Sequence, residues 1–413
     1  MLTTNRRQFL KGSLAVGGLI AWGLNVPAFL SRTALAARPS DKPGAKDTIL
    51  VVVELTGGND GLNTVIPFKD PEYAKLRPTL KQPEGQIKKI NDELGLHPSM
   101  TGLVDLLQDN ALSVVQGVGY PNPTQSHFRS MDIWQAASDA DTLTEGWIGK
   151  ALKGLPNTPT FHLKSDNERS PLALAGAPAA VPSIATLADF QLQLTAVNNA
   201  DKKSQRDVIE ASVNSPDGKG LLDFVQRTAA DTYASSRRLQ EIGKNYEPKS
   251  LYPNTPLANR LRLAAQLIDA GLGARIFYVA IDGFDTHSGQ GPTHANLLGT
   301  LSGAVTAFFK DLAARGHRDR LLVMTFSEFG RRAKENGSRG TDHGEAAPML
   351  LVGGKVKAGP VGKHPSLTEL NAGNLKFHTD FRQVYATILD QWLGVPSKDV
   401  LGARYEPVEI FKT

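Results

Sequence analysis

The sequence predicts an α/β fold, a sandwich in which a central, mainly parallel sheet is flanked by helices. Two observations predict it. Apolar, largely β-branched runs recur at 48–55, 112–118, 276–281, 321–326 and 348–352, and runs of this kind belong to strands covered on both faces. Stretches of helical periodicity stand between several of them, and a strand, helix, strand rhythm with crossovers of that length makes neighbouring strands parallel.

The 413 residues, 40% of them apolar, are enough for one large domain or two ordinary ones. The formal charge is +5, but Arg6, Arg7, Lys11 and Arg32 lie in the first 36 residues, which hold no acid, and without them the charge falls to +1. A nearly neutral mature chain removes the electrostatic reason for nucleic acid or an anionic membrane as partner. There is no cysteine, so the fold is held by its core without disulfides.

Residues 1–36 read as an address. The pair Arg6-Arg7, followed by Gln8-Phe9-Leu10-Lys11, precedes a mildly apolar stretch and a small-residue cleavage site at Ala34-Leu35-Ala36. This is the pattern of a bacterial twin-arginine export signal, which points to the periplasm. Asn25 and Pro27 make the stretch a poor permanent span, so no stable membrane segment is expected after cleavage. The twin-arginine route carries folded proteins, which suits a metal acquired before export.

After a linker at 37–47, a single domain is expected over 48–413. The strand at 48–55 runs into Thr56-Gly57-Gly58-Asn59-Asp60-Gly61, which puts Asp60 at its carboxyl end. An amphipathic helix at 99–110 feeds the strand at 112–118. The prolines of Gly119-Tyr-Pro-Asn-Pro-Thr124-Gln-Ser126-His127-Phe128 stop that strand, and Thr124 or Ser126 can begin the helix toward Trp134. Short strands and loops are expected over 156–197, then a mostly helical insertion near 202–249, broken around Ser215-Pro-Asp-Gly218. Helices at 256–270 and 294–315 precede the strands at 276–281 and 321–326, and an amphipathic helix at 380–393 closes the domain.

Three segments beside the later strands carry metal-ligand side chains: Asp282-Gly-Phe-Asp285-Thr-His287, Ser327-Glu328-Phe-Gly330-Arg331-Arg332 and Gly340-Thr-Asp342-His343-Gly344. Strand ends are where ligands collect in open α/β sheets. Asp285 and His287 are two apart, so an extended backbone points both to one face. Asp60, Asp285, His287, Glu328 and His343 together offer carboxylates and imidazoles, a mixture that suits one or two divalent ions, zinc or manganese rather than calcium. Two such ions can activate a nucleophile and stabilise the oxygens of a phosphoryl-type transfer.

Ser126 at a helix start is the candidate nucleophile and Thr124 the second candidate. His127 can orient Ser126, bind metal or pack, and Arg331 and Arg332 can grip substrate oxyanions. Each has a plainer reading: Ser126 as a helix cap, Asp60 as a turn former, Glu328 as the partner of Arg331 or Arg332. A metal-free serine hydrolase is disfavoured, because no Gly-x-Ser-x-Gly elbow surrounds Ser126.

The stretches ELTGGNDGLNTVIP, GYPNPTQSHF with the following DIW, IDGFDTH, FSEFGRR, GTDHGEAAPMLLVGG and DFRQVYATILDQWLG resemble the bacterial family of domain of unknown function 1501. That family is grouped with the alkaline phosphatase and sulfatase superfamily. The resemblance implies an alkaline-phosphatase-like α/β sandwich with a two-metal hydrolytic site. By its pattern Asp60 is the carboxylate after the first strand, Ser126 occupies the nucleophile region, Asp285 and His287 share an ion, His343 is the last histidine and Asp282 is a further ligand.

Two departures follow from the same comparison. Ser327-Glu328 stands where the superfamily carries an Asp-His pair, and the Asp285 to His287 interval is short. They imply a single ion, a harder metal, or a site that binds without turnover. Two functions are therefore carried forward. One is an exported metal-dependent hydrolase or transferase acting on phosphate or sulfate esters. The other is a non-catalytic metal-binding envelope protein that binds an anionic polymer or a surface-assembly partner. The sequence sets no oligomeric state.

Overall fold

A computed structural model describes residues 48–155, 158–165, 168–187 and 245–412. The expected export signal, the expected linker and all of the expected helical insertion up to residue 244 lie outside the described residues. The apolar runs form the strands β1 (Ile49–Leu55), β2 (Leu112–Gly119), β3 (Thr160–Leu163), β4 (Ser183–Ile184), β5 (Ile276–Ile281), β6 (Leu321–Phe326), β7 (Ala347–Gly353), β8 (Gly359–Val361) and β9 (Thr379–Asp380). One sheet contains them in the order β8-β2-β7-β6-β1-β5-β3-β4, with β9 also on β2.

β1 lies at the centre and pairs in parallel on both sides, with Val51 opposite Phe277 of β5 and Val323 of β6. β7 is antiparallel to both β2 and β6, so the sheet is mixed, though mainly parallel. The physical reason is the connection. No helix lies between β6 and β7, and without a crossover the chain can only turn back. The whole of 327–346 therefore stays at the carboxyl edge of the central strands.

The alternation of β1 divides the core. Ile49, Val51, Val53 and Leu55 face a layer built from helices α1 (Thr101–Gln108), α4 (Pro256–Asp269) and α5 (Gln290–Ala314). Leu50 and Val52 face the opposite layer, made of α2 (His127–Ala136), α3 (Trp147–Lys153) and α6 (Phe381–Thr387), which continues as a π-helical turn at Ile388–Leu393. Helices on both faces of the sheet make the α/β sandwich expected from the sequence. α5 begins at Gln290, one turn earlier than its periodicity suggests. It is long and apolar enough to cross a membrane by length and composition, but it is largely buried and packs against α1 and α4 as a core helix. A small three-stranded sheet (Val65–Ile66, Lys88–Lys89, Gly95–Leu96) supports a satellite core that includes Leu62, Tyr73, Ala333 and Ala346.

Candidate metal centre

Four side chains from three places in the sequence meet at the carboxyl edge of β1, β5 and β6. Asp285 Oδ1 is 3.0 Å from His287 Nε2, 3.3 Å from His343 Nε2 and 3.5 Å from His127 Nε2. The His287 and His343 Nε2 atoms are 2.9 Å apart. His127, Asp285 and His343 offer ligand atoms that all lie within 4.8 Å of one another. Donor atoms around a tetrahedral zinc ion with bonds of about 2.0 Å are separated by roughly 3.3 Å. The separations from Asp285 Oδ1 to the three rings, and that between His287 and His343, bracket that edge.

The far side of each ring is anchored. His343 Nδ1 lies 2.8 Å from the carbonyl oxygen of Gln125, and His127 Nδ1 lies 2.8 Å from Glu328 Oε1. His287 Nδ1 faces Asp342 Oδ1 at 3.5 Å. A carbonyl oxygen only accepts, so His343 Nδ1 carries the proton and its neutral ring turns the Nε2 lone pair inward. Burial, first among the influences on His343, pulls its pKa below the ordinary value and favours that neutral ring. His127 Nε2 is buried without a hydrogen-bond partner among the described residues. Histidines whose outer nitrogens bind carboxylate or carbonyl oxygen while the inner ones converge are arranged as metal ligands are.

Local structure explains the convergence. Asp285 and His287 follow β5, with Thr286 between them buried on the other side of the chain. His127 is the first residue of α2, and Phe329 packs against both His127 and His343, with ring centroids 4.9 and 4.7 Å away. Gly57, at φ +116°, lies so close to the loop after β5 that a Cβ there would fall 2.4 Å from the Asp285 nitrogen. Only glycine gives both that φ and that approach.

Arg331 holds the loops together from beneath. Its Nε donates to Gly58 O at 2.7 Å, its Nη1 to Thr341 O at 2.7 Å, and its Nη2 to Gly57 O, Phe284 O and Asp285 Oδ1. Partial burial pushes the Asp285 pKa up, but the hydrogen bond and charge of Arg331 outweigh it, and the carboxyl stays below its ordinary range.

Several expected site residues have other places. Arg331, expected to grip substrate, is 1% exposed and spends its guanidinium on backbone carbonyls and Asp285. Asp60 is fully buried in a forked pair with Arg77, at 2.6 and 3.0 Å, and also accepts from Gln290. Burial alone would raise its pKa, but Arg77 reverses this and holds it at about 2. Asp282 is exposed and lines a separate cavity of about 1320 Å³ with Glu54, Gln135, Arg260 and Tyr278. Glu328 is fully buried, where it accepts from Gly57 N at 2.9 Å and anchors His127.

Ser126 is the N-cap of α2 and accepts from Arg129 N at 3.5 Å. Thr124 Oγ1 accepts from Ser126 N at 3.2 Å, a local turn contact. The exposed Ser126 hydroxyl stands between Gln125 and His127, both tied to the cluster. The sequence reading missed Arg77, Gln290, Thr286 and Thr341, which lie beneath the cluster. A buried polar network linking residues this far apart leaves no local signal.

The family model described as "Protein of unknown function (DUF1501)" matches residues 47–403. No curated protein matches the chain. Similar solved structures include the PsFucS1 sulfatase from Pseudoalteromonas sp., at 11% identity and a TM-score of 0.37 over 93% of this chain and 77% of that one. The alkaline phosphatase from the Antarctic bacterium TAB5 is 11% identical, with a TM-score of 0.31 over 74% of this chain and 92% of that one. The lipoteichoic acid synthase LtaP from Listeria monocytogenes is 9% identical, with a TM-score of 0.29 over 88% and 80%.

Proposed function

We propose, for a chain that belongs to the DUF1501 family, that His127, Asp285, His287 and His343 hold a single zinc or manganese ion, and that this centre acts on phosphate or sulfate esters as a hydrolase or transferase. One observation carries the metal assignment: three imidazole Nε2 atoms gather around Asp285 Oδ1 within 3.5 Å while their Nδ1 atoms face oxygen acceptors. Asp60 pairs with Arg77 and Asp282 lines a separate cavity, and their distance from the group supports the reading of a single ion. Imidazole-rich donors suit zinc best.

A divalent ion in this place supplies positive charge for ester oxyanions and favours deprotonation of a nearby hydroxyl. The side chains of Asp285 and His287 are 48% and 43% exposed, so a substrate oxygen can reach the centre. The start of the ten-residue α2 adds backbone N–H groups that attract an anion. Ser126 is the nucleophile this reading assigns. His127, held by Glu328 in the next position, keeps the start of α2 against the cluster. The ester class itself rests on the family resemblance, and export rests on the Arg6-Arg7 signal.

The second reading, a metal-binding envelope protein without turnover that binds an anionic polymer or partner, also has an observation in its favour. The Ser126 hydroxyl contacts Arg129 N as a cap, and Arg331 is too buried to meet substrate. A panel of aryl phosphate and sulfate esters separates the two. Turnover by the metal-loaded wild type, abolished in Ser126→Ala at unchanged metal content, is the expected result. A metal-loaded protein inert on the whole panel favours the second reading.

A further inference from the structure

We infer that Gln290 is a positioning residue for the metal centre: its side-chain amide, oriented by buried Asp60, ties Thr286 to Thr341 and so fixes the two loops that carry Asp285, His287 and His343. The inference rests on the reading of those three residues as ligands.

Gln290 is the first residue of α5, a 25-residue helix, and is fully buried. Its Nε2 donates to Asp60 Oδ2. Asp60 is paired with Arg77 and can only accept, so the amide nitrogen must point to it and the amide oxygen away. That oxygen receives two hydroxyls, Thr286 Oγ1 at 3.1 Å and Thr341 Oγ1 at 2.6 Å. Thr286 stands between Asp285 and His287, and Thr341 stands two residues before His343.

The same two residues also meet through the backbone, Thr341 N donating to Thr286 O at 3.2 Å. Gln290 N donates to Arg339 O at 2.9 Å, which brings the second loop to the helix end a further time. One amide thus joins both ligand-bearing loops to a rigid helix and to the Asp60–Arg77 pair. Arg77 extends the chain to the carbonyls of Arg332 and Ala333. Asp60, expected as a ligand, acts in this arrangement through Gln290.

The test uses the full mature chain. Zn²⁺ affinity is measured by competition with a chelating dye, and the visible absorption of the Co²⁺-substituted protein reports ligand geometry. Thr286→Val with Thr341→Val keeps side-chain shape but removes both hydroxyls, and should weaken Zn²⁺ binding by about 10-fold or more, the scale seen for groups that orient metal ligands, while changing the Co²⁺ spectrum. Thr286→Ser with Thr341→Ser keeps the hydroxyls and should retain wild-type affinity and spectrum. If the valine pair does not fold, Gln290→Met provides the same reading.

A folded valine pair, or a folded Gln290→Met, with wild-type affinity and spectrum overturns the inference, as does a serine pair that loses as much as the valine pair. Either outcome leaves the metal centre standing. A wild type that binds neither ion removes the centre and the inference together.

Discussion

His343 Nε2 lies 2.9 Å from His287 Nε2, with Asp285 Oδ1 3.3 Å from the first and 3.0 Å from the second. Two like nitrogens at this distance need a proton or a cation between them. His343 already carries a proton on Nδ1 for the Gln125 carbonyl, so its Nε2 presents a lone pair. Together with His127 Nε2, which has no hydrogen-bond partner among the described residues, the arrangement is a set of donors aimed inward.

The Asp60–Arg77 pair should dominate local stability beneath the site. Both side chains are fully buried and 2.6 Å apart. Asp60→Ala leaves the guanidinium uncompensated, and breaking one partner of such a pair costs about 3–5 kcal/mol. Urea denaturation should show a clearly lower midpoint. An unchanged midpoint would mean that Arg77 finds another partner.

Acid should destabilise the protein well before carboxylates titrate. Burial lowers the pKa of both His97 and His294 to about 4, from an unfolded value near 6.5. These histidines favour the folded state when neutral, so their contribution is complete above about pH 6.5 and is lost as pH falls toward 4. With both titrating, stability should fall by about 2–3 kcal/mol per pH unit in that window. Asp60, held at about 2, acts lower: its contribution is present above its unfolded pKa near 3.8 and is lost as pH falls through 2. The midpoint of urea denaturation, followed from pH 7 to pH 4, checks the first window, and His294→Gln should flatten its slope.

Gly340 should accept no side chain. A Cβ there would lie 2.2 Å from the His287 carbonyl carbon and oxygen, both backbone atoms. Gly340→Ala must push the His287 loop away, at a cost of roughly 1–3 kcal/mol, and should weaken metal binding. Gly337, three residues earlier, has no neighbour within 4 Å of a Cβ, and Gly337→Ala is the neutral control. Equal behaviour of the two variants in metal titration would contradict the placement of His287.

Most of the fold was legible because its buried strands are continuous apolar runs, and β1, β2, β5 and β6 fall where those runs lie. The reversal of β7 was harder to see, although the missing crossover helix before it was a usable sign. At the site, Asp285, His287 and His343 declare themselves as ligand types at strand ends. Asp60 could not be resolved that way. A carboxylate after a strand looks the same whether it faces an ion or Arg77, and Arg77 lies in a stretch with no pattern of its own. Glu328 likewise proves to be the anchor of His127, a contact across 201 residues that spacing cannot reveal. Gln290, Thr286 and Thr341 are ordinary polar residues until the fold brings them together.

Elemental analysis of the purified mature protein tests the central claim most directly, with wild type and Asp285→Ala/His343→Ala prepared side by side in zinc- and manganese-supplemented medium. The expected result is about one equivalent of zinc or manganese per wild-type chain and none in the folded double variant. A metal-free wild type, or equal metal in both proteins, would contradict it.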